Sequence, residues 1–345
     1  MTRPPGHWLL LFALVAMWGS AFMFTGIAVR GFSPTALVTI RLGIAALLLT
    51  ALVALRGQGF PRTRRFWLFS LAISLAGNCV PFWLISFGQQ RVDSGMAGIL
   101  MGVMPLTTMV LAHFFVRGER LNRIKAVGFV IGFVGLVALI GPEALLELRG
   151  QGTELPYQLA VLGGAICYAI NTIVARHRPP ADPLVAAAGV MLAGSAVMLP
   201  IGGVPASTQL VAAPTMPLAA MLALSIVATA IATVVFLKLV ATAGPSFTSF
   251  INYLIPIWAL LMGVLFLGEE PGIRVVIALA LILAGIALSE VGSRVRSADT
   301  HSGTLEELRD ARRDHRRHHR VDLRSVADQD QGLPAVRPRR DLHRR

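Results

Sequence analysis

A few ionisable side chains interrupt the long apolar stretches of this sequence, and they are the residues best placed to bind a solute. Arg41 lies inside one such stretch, about two turns from its end, whereas His113 and Lys238 lie near the ends of two others. An unpaired charge in the middle of a bilayer costs at least ~2.5–3.5 kcal/mol, so its presence indicates a function. Arg41 has two interpretations: it contacts a solute, or it bonds helix-end carbonyls beside the membrane interface. For the other two the favoured alternatives are that Lys238 reaches the inner headgroups and that His113 packs as a hydrogen-bonded residue.

Amides form the second set of candidates. Asn78, Asn171 and Asn252 fall inside apolar stretches. An asparagine in that position either bonds a neighbouring helix, with a contribution of about 0.6 kcal/mol, or lines a cavity. Both interpretations are open for all three residues.

Three aromatic residues complete the cavity candidates. Trp18 and Tyr168 lie 150 residues apart, at equivalent places in the two halves of the chain, and Tyr253 adjoins Asn252. A symmetric pair of rings facing a cavity would suit an organic solute. Packing and lipid contact are the alternative roles.

Carboxylates are absent from the middle of every apolar stretch. A proton-driven exporter of cationic drugs normally needs a carboxylate there, so we expect a neutral, zwitterionic or anionic solute. The acidic residues that border these stretches all lie at their edges: Asp93, Glu119, Asp182, Glu269 and Glu290.

The sequence shows no pattern of a metal centre or an enzyme. Cys79 and Cys167 both fall inside apolar stretches and have no ligand partners at metal-binding spacing, so we expect them to pack as small apolar residues. Nucleophile and phosphate-loop motifs are also missing. We therefore expect neither metal nor cofactor, and no catalysis.

Composition predicts a membrane protein. The chain has 345 residues, of which 55% are hydrophobic and 14% charged, values outside the range of soluble domains. Its apolar runs reach the ~20 residues that a helix needs to cross a bilayer. We predict ten spans, at residues 8–29, 34–55, 66–87, 94–116, 122–141, 157–176, 183–203, 216–240, 246–267 and 272–290.

The chain also repeats itself. In residues 93–141 and again in 245–291, an apolar helix with an internal proline ends at a Gly-Glu pair, and a second apolar, glycine-rich helix follows. The prolines are Pro105 and Pro256, and each frees a backbone carbonyl, which predicts either a static kink or a moving hinge. A repeat of this length in an apolar chain is typical of a transporter built from two halves.

Small residues in the first of these helices predict close packing. Gly98 and Gly102 have the four-residue spacing that lets two helix backbones approach each other in a membrane.

Charge distribution gives the predicted orientation. The net charge of +13 comes mainly from arginines and lysines in the loops after even-numbered spans and in the C-terminal tail, which places both termini in the cytoplasm and accounts for the charge without nucleic acid. Because five helices per half is an odd number, the second half must be inverted relative to the first. Inverted repeats produce alternating access by exchanging conformations.

Several of these motifs together resemble the ten-helix, EamA-like branch of the drug/metabolite transporter superfamily, over roughly residues 8–290. The resemblance implies an inner-membrane carrier, most often an exporter of metabolites, amino acids or toxic compounds. In the second copy the glutamate is followed by Glu270-Pro271 rather than by arginine, which fits a loop outside the cell. The motifs are Trp18-Gly19-Ser20, Pro34 with Arg41, Pro105 to Gly118-Glu119-Arg120-Leu121, and Tyr253-Leu254-Ile255-Pro256 through Gly268-Glu269.

We accordingly predict an all-α membrane protein of four parts. A first five-helix repeat (1–141) is joined by a periplasmic linker (142–156) to an inverted second repeat (157–290), and an arginine-rich disordered tail (291–345) follows. The expected function is secondary transport of an amino acid or other small metabolite, in the direction of export, across the inner membrane. Multidrug efflux is the alternative. The expected partners are the solute and the bilayer, with the chain a monomer or homodimer.

Overall fold

The computed structural model describes residues 4–116, 123–140 and 154–289; in these three ranges helices are joined by short connections and no strand is present. Eight of their helices are long and apolar enough to cross a membrane, and two further apolar helices are shorter. They are α1 (Pro5–Ala28), α2 (Pro34–Leu55), α3 (Arg64–Gly88), α4 (Ser94–Phe115), α5 (Arg123–Ile140), α6 (Leu155–Ala175), α7 (Pro183–Ala212), α8 (Thr215–Ala243), α9 (Ile251–Leu267) and α10 (Ile273–Ser289).

The predicted all-helical membrane class is confirmed. The Gly118-Glu119 pair, most of the predicted linker and the whole predicted tail lie outside the described residues.

Two helices differ from their predicted bounds for local reasons. The helix predicted at 183–203 continues to Ala212, because Thr208 and Ser207 bond the carbonyl of Val204 and keep the polar last turns helical. The span predicted at 246–267 is divided into a four-residue helix, Pro245–Thr248, and α9.

Two helices contain π-helical segments that the sequence did not predict. In α3 the segment is Leu75–Cys79, and in α8 it is Ile226–Ile231. Each follows an α-helical stretch of 11 residues that ends in a fully buried serine, Ser74 or Ser225. Short π segments widen a helix and redirect its side chains, and they occur often at functional sites.

The two repeated prolines have different backbone settings. At Pro105, α4 is interrupted at Gly102 and Val103, whose amides bond three residues back instead of four. Pro256 lies inside the continuous helix α9. The missing proline amide therefore interrupts α4, whereas α9 continues as a helix without that hydrogen bond.

Helices from the two halves of the sequence pack against each other. The pairs are α2 with α7, α1 with α9, α4 with α9, α6 with both α3 and α4, and α8 with both α1 and α2. Glycines permit the closest approaches: a Cβ on Gly98 of α4 would collide with Ala259 of α9, and one on Gly128 of α5 with the backbone of Gly285 in α10.

Asp182 provides a test of how α7 begins. Its carboxylate accepts hydrogen bonds from the amides of Leu184 (2.8 Å) and Val185 (3.3 Å). Partial burial opposes its ionisation, but these bonds, together with Gln58 and the charge of Arg56, hold the pKa of Asp182 below its ordinary value. We expect Asp182→Ala to lower the free energy of unfolding by about 1 kcal/mol, measured by denaturation in detergent. Asp182→Asn, which keeps an acceptor oxygen, should recover part of that loss.

Candidate functional site

A cavity of about 620 Å³ lies among α1, α2, α3, α4, α6, α7, α8 and α9. Most of the candidates named from the sequence line it; among the described residues, His113, Lys238 and Tyr253 do not. Tyr253 is absent from the lining within the described residues; its hydroxyl donates to the carbonyl of Ile286 at 3.4 Å, so it packs against α10. The candidates that line the cavity are Trp18, Arg41, Asn78, Tyr168, Asn171 and Asn252, together with Gly98, Gly102, Pro105 and Pro256.

Arg41 is held in place by groups from two other helices. Its Nε donates to the hydroxyl of Thr229 at 2.7 Å, and its guanidinium carbon lies 3.6 Å from the centre of the Phe82 ring. Thr229 is on the π segment of α8 and itself donates to the carbonyl of Leu224. The side chain is therefore fixed by a hydrogen bond on one side and a cation–π contact on the other.

The outer part of the Arg41 guanidinium can form further hydrogen bonds. Its two terminal nitrogens have no hydrogen-bond partner in the described part of the chain, and neither is sealed off by protein. No aspartate or glutamate is among the described residues that line the cavity. A buried cation with free donors and no carboxylate nearby is chemically able to bind an anionic group, because arginine presents a fork that matches a carboxylate.

Two amides line the same cavity as this cation. Asn78, on the π segment of α3, is one helical turn before Phe82, and its amide makes no hydrogen bond within the described residues. Asn171 of α6 packs against Gly77, where a Cβ would meet its amide at 2.7 Å, and its Oδ1 is buried without a partner in the described ranges. This side of the cavity therefore offers hydrogen-bonding groups without charge.

The remaining wall is mainly aromatic and apolar. Trp18 packs on Phe236, with ring centroids 5.3 Å apart. Trp18 and Tyr168 both line the cavity. Such a wall suits the carbon skeleton of an organic molecule.

The cavity reaches one end of the bundle, which we call the open end. The connections α2–α3, α6–α7 and α8–α9 lie there, and Arg178, Pro179 and Ser249 from two of them line the cavity. The opposite end, which we call the closed end, holds the α1–α2, α3–α4 and α9–α10 connections. There the side chain of Gln89 donates to the carbonyl of Phe22 at 2.9 Å, and Ser94 donates to the same carbonyl at 3.1 Å.

Sequence reasoning missed the residues that position Arg41. Thr229 is 188 residues away along the chain, and nothing local distinguishes it from the other threonines of α8. Phe82 looked like one of many apolar residues. Their role follows from the packing of α2 between α3 and α8, which a single sequence does not reveal.

Replacing Thr229 tests whether its hydroxyl positions Arg41. Thr229→Val keeps the side-chain shape but leaves the Nε of a buried guanidinium without an acceptor. We expect the free energy of unfolding to fall by about 1–3 kcal/mol, measured by denaturation in detergent. Thr233→Val is the matched control, because that hydroxyl bonds only its own helix, at the carbonyl of Thr229. Equal losses in both variants would contradict a special role for Thr229.

Comparisons with known proteins agree with this architecture. The model of the EamA-like transporter family matches twice, at residues 6–141 and 155–290. A solved crystal structure aligns over 85% of this chain and 99% of its own, with a TM-score of 0.57 and 21% identity, which is a likeness of fold.

Curated relatives align over most of their length. One is the Escherichia coli K12 protein named uncharacterized inner membrane transporter YedA, which is 27% identical over 82% of this chain and 90% of its own. A second, from Streptantibioticus cattleyicolor, is named a probable terminal-alkyne amino-acid exporter and is 26% identical over 81% of this chain and 92% of its own. A third, from Arabidopsis thaliana, is named WAT1-related protein At3g02690, chloroplastic. It is 26% identical over 82% of this chain and 69% of its own.

The two family matches together cover well over half of the chain, and its apolar helices surround a cavity of the size that holds a small molecule. The chain is a member of the EamA-like transporter family.

Proposed function

We propose that this transporter exports a small organic solute bearing an anionic group, such as an amino acid or another carboxylate-containing metabolite, across the bacterial inner membrane. Arg41 carries the proposal. It is a cation that lines the cavity, has two unengaged nitrogens and has no acidic partner among the described residues. A solute carboxylate would supply the missing negative charge and compensate the cost of keeping the guanidinium buried.

Two features narrow the range of possible solutes. The cavity of about 620 Å³ accommodates a molecule much larger than an inorganic anion. The amides of Asn78 and Asn171 supply hydrogen-bonding groups in the same cavity as Arg41, which suits a second polar group on the solute. The relative named as an amino-acid exporter favours the same class.

Alternating access between two inverted five-helix repeats is the proposed mechanism. The helix pairs support it, because each helix can be replaced by its equivalent in the other half, whose number differs by five. This converts the pair α1 with α9 into α6 with α4, and α3 with α6 into α8 with α1, and all four pairs are observed. The π segments of α3 and α8 obey the same shift. With repeat boundaries at 1–141 and 157–290, exchange of the two conformations would close one end and open the other.

Orientation follows from the charges in the loops. The positive-inside rule supports an orientation with the open end and both termini in the cytoplasm, in which the cavity would receive a solute for export. The chain 291–345 would then be a cytoplasmic tail.

Binding to purified protein is the first test of this function. Thermal denaturation in detergent would be compared with amino acids, organic anions and cationic drugs added in turn. We expect stabilisation by a carboxylate-bearing solute in the wild type and none in Arg41→Gln. Stabilisation by cationic drugs that is indifferent to Arg41 would contradict the proposed solute class.

Multidrug efflux is the second candidate, and the aromatic wall favours it. Rings such as Trp18 and Phe236 bind flat apolar molecules without specific hydrogen bonds. The lining lacks a carboxylate among its described residues, which argues against cationic drugs. Efflux of neutral drugs that survives replacement of Arg41 would favour this candidate.

A further inference from the structure

Glu269 ties the two halves of the molecule together at the closed end. Its two carboxylate oxygens accept hydrogen bonds from the first amides of α4: Oε1 from Ser94 at 2.7 Å and Oε2 from Gly95 at 2.8 Å. The glutamate belongs to the α9–α10 connection in the second half, whereas α4 belongs to the first. The bonds therefore span 175 and 174 residues of sequence.

The backbone around Glu269 is shaped to receive its carboxylate. Gly268 ends α9 in the left-handed conformation, with φ of 67°, and so turns the chain back until the amide of Glu269 bonds the carbonyl of Gly263 at 3.1 Å. A Cβ on Gly263 would collide with the carboxyl group, and one on Gly95 would lie 2.9 Å from Oε2. Glycines on both sides thus form a slot for this side chain. The left-handed turn at Gly268 and the slot for Glu269 together explain the Gly-Glu pair of the sequence.

The charges around the slot do not pair with Glu269. Within the described residues no lysine or arginine forms an ion pair with it, and Asp93, just before α4, is the charge that acts on it most. The apolar helices α1 and α9 present none at this end. The other charged residues of these connections are Arg30, Arg91 and Glu270, and Arg274 lies in the first turn of α10. The two amide bonds are therefore the specific attachment.

We propose that Glu269 is the residue that holds the closed end shut, and that losing its two bonds to α4 moves the transporter toward the state with that end open. The inference rests on the alternating access proposed above. When α4 and the α9–α10 connection separate, these bonds must break, since they join the parts that move apart. Glu269 is thus a positioning residue for the transport cycle and makes no contact with the solute.

Proton binding adds a readout that an ordinary structural bond would not give. Burial of the carboxyl group and, more weakly, the charge of Asp93 raise the pKa of Glu269 above its ordinary value, although the amide bonds oppose them. A group with a raised pKa binds its proton more tightly in the slot than in water. Protonation therefore favours the closed end, and rising pH favours its opening.

Reciprocal accessibility of the two ends tests the proposal without any solute. Val240→Cys is introduced into a chain in which Cys79 and Cys167 are replaced by alanine. Because Val240 lines the cavity near the open end, the rate of thiol labelling at residue 240 reports the accessibility of that end. Hydrogen exchange of the amides at residues 94–101 reports the closed end. In Glu269→Ala we expect about tenfold slower thiol labelling at residue 240, about tenfold faster amide exchange at 94–101, and loss of the pH dependence of both.

Two further variants make the test decisive. Glu270→Ala, the neighbouring exposed carboxylate, should change neither readout. Gly263→Ala keeps Glu269 but displaces its carboxyl group, so it should reproduce the reciprocal change even if Glu269→Ala folds poorly. Faster thiol labelling at residue 240 together with faster amide exchange at 94–101, or unchanged thiol labelling at residue 240, would show that Glu269 only caps α4. Either result would overturn the proposal. Failure to find a transported solute would instead count against the proposed function alone.

Discussion

Arg41→Gln should lower the apparent affinity for a carboxylate-bearing solute by about 10–100-fold, because it removes a charge-assisted contact from a cavity whose described lining has one other cation, Arg178 at the open end. Glutamine retains hydrogen-bond donors but is uncharged and shorter, so Arg41→Lys is needed to separate the contribution of the charge. The effect would be measured as exchange of labelled solute by the purified protein in liposomes. The expected pattern is a higher solute concentration for half-maximal exchange.

Lys238→Gln is the control for this variant. Lys238 is exposed on the outside of α8, where its charge can reach the membrane surface, and its removal should leave exchange unchanged. Arg41→Lys should be intermediate, since lysine keeps the charge but loses the planar fork. Wild-type exchange by Arg41→Gln would show that the guanidinium serves packing alone.

Gly98→Val should destabilise the protein strongly. Gly98 lies against Ala259, and a Cβ at this position has no room unless α4 and α9 separate. Overpacking of this kind costs about 1–3 kcal/mol or more, and these two helices form one wall of the cavity. We expect a lower denaturation temperature together with loss of solute exchange.

Gly203→Val separates this effect from the general cost of a branched residue in a helix. No atom lies within 4 Å of the Cβ position of Gly203 in α7. That variant should be close to wild type in both measurements. Equal losses at positions 98 and 203 would show that helix propensity, rather than contact between α4 and α9, explains the result.

The helices were predictable because their driving force is local. Runs of apolar residues long enough to cross a bilayer, with Ser33-Pro34 and Asp182-Pro183 at the starts of α2 and α7, define most of the element boundaries. The charge of Arg41 was also recognisable, because an arginine inside an apolar run is costly wherever the helix packs.

The arrangement around the cavity depends on tertiary contacts that a single sequence does not encode locally. Nothing in α8 predicts that its helix widens at Thr229 to receive Arg41, since α8 has no proline or glycine at that point. Glu269 was noted as part of a motif at the edge of a span, but its bonds to Ser94 and Gly95 appear only once the two halves are packed together. Tyr253, chosen for its place in the motif, packs on α10 instead of lining the cavity.

Exchange of a matched pair of solutes tests the central claim most directly. A labelled amino acid and the amine of the same side chain, which lacks only the carboxylate, would be compared in liposomes containing the wild type and Arg41→Gln. We predict saturable exchange of the amino acid by the wild type, little exchange of the amine, and loss of the difference in Arg41→Gln. Equal exchange of both solutes by the wild type would contradict recognition of an anionic group at Arg41.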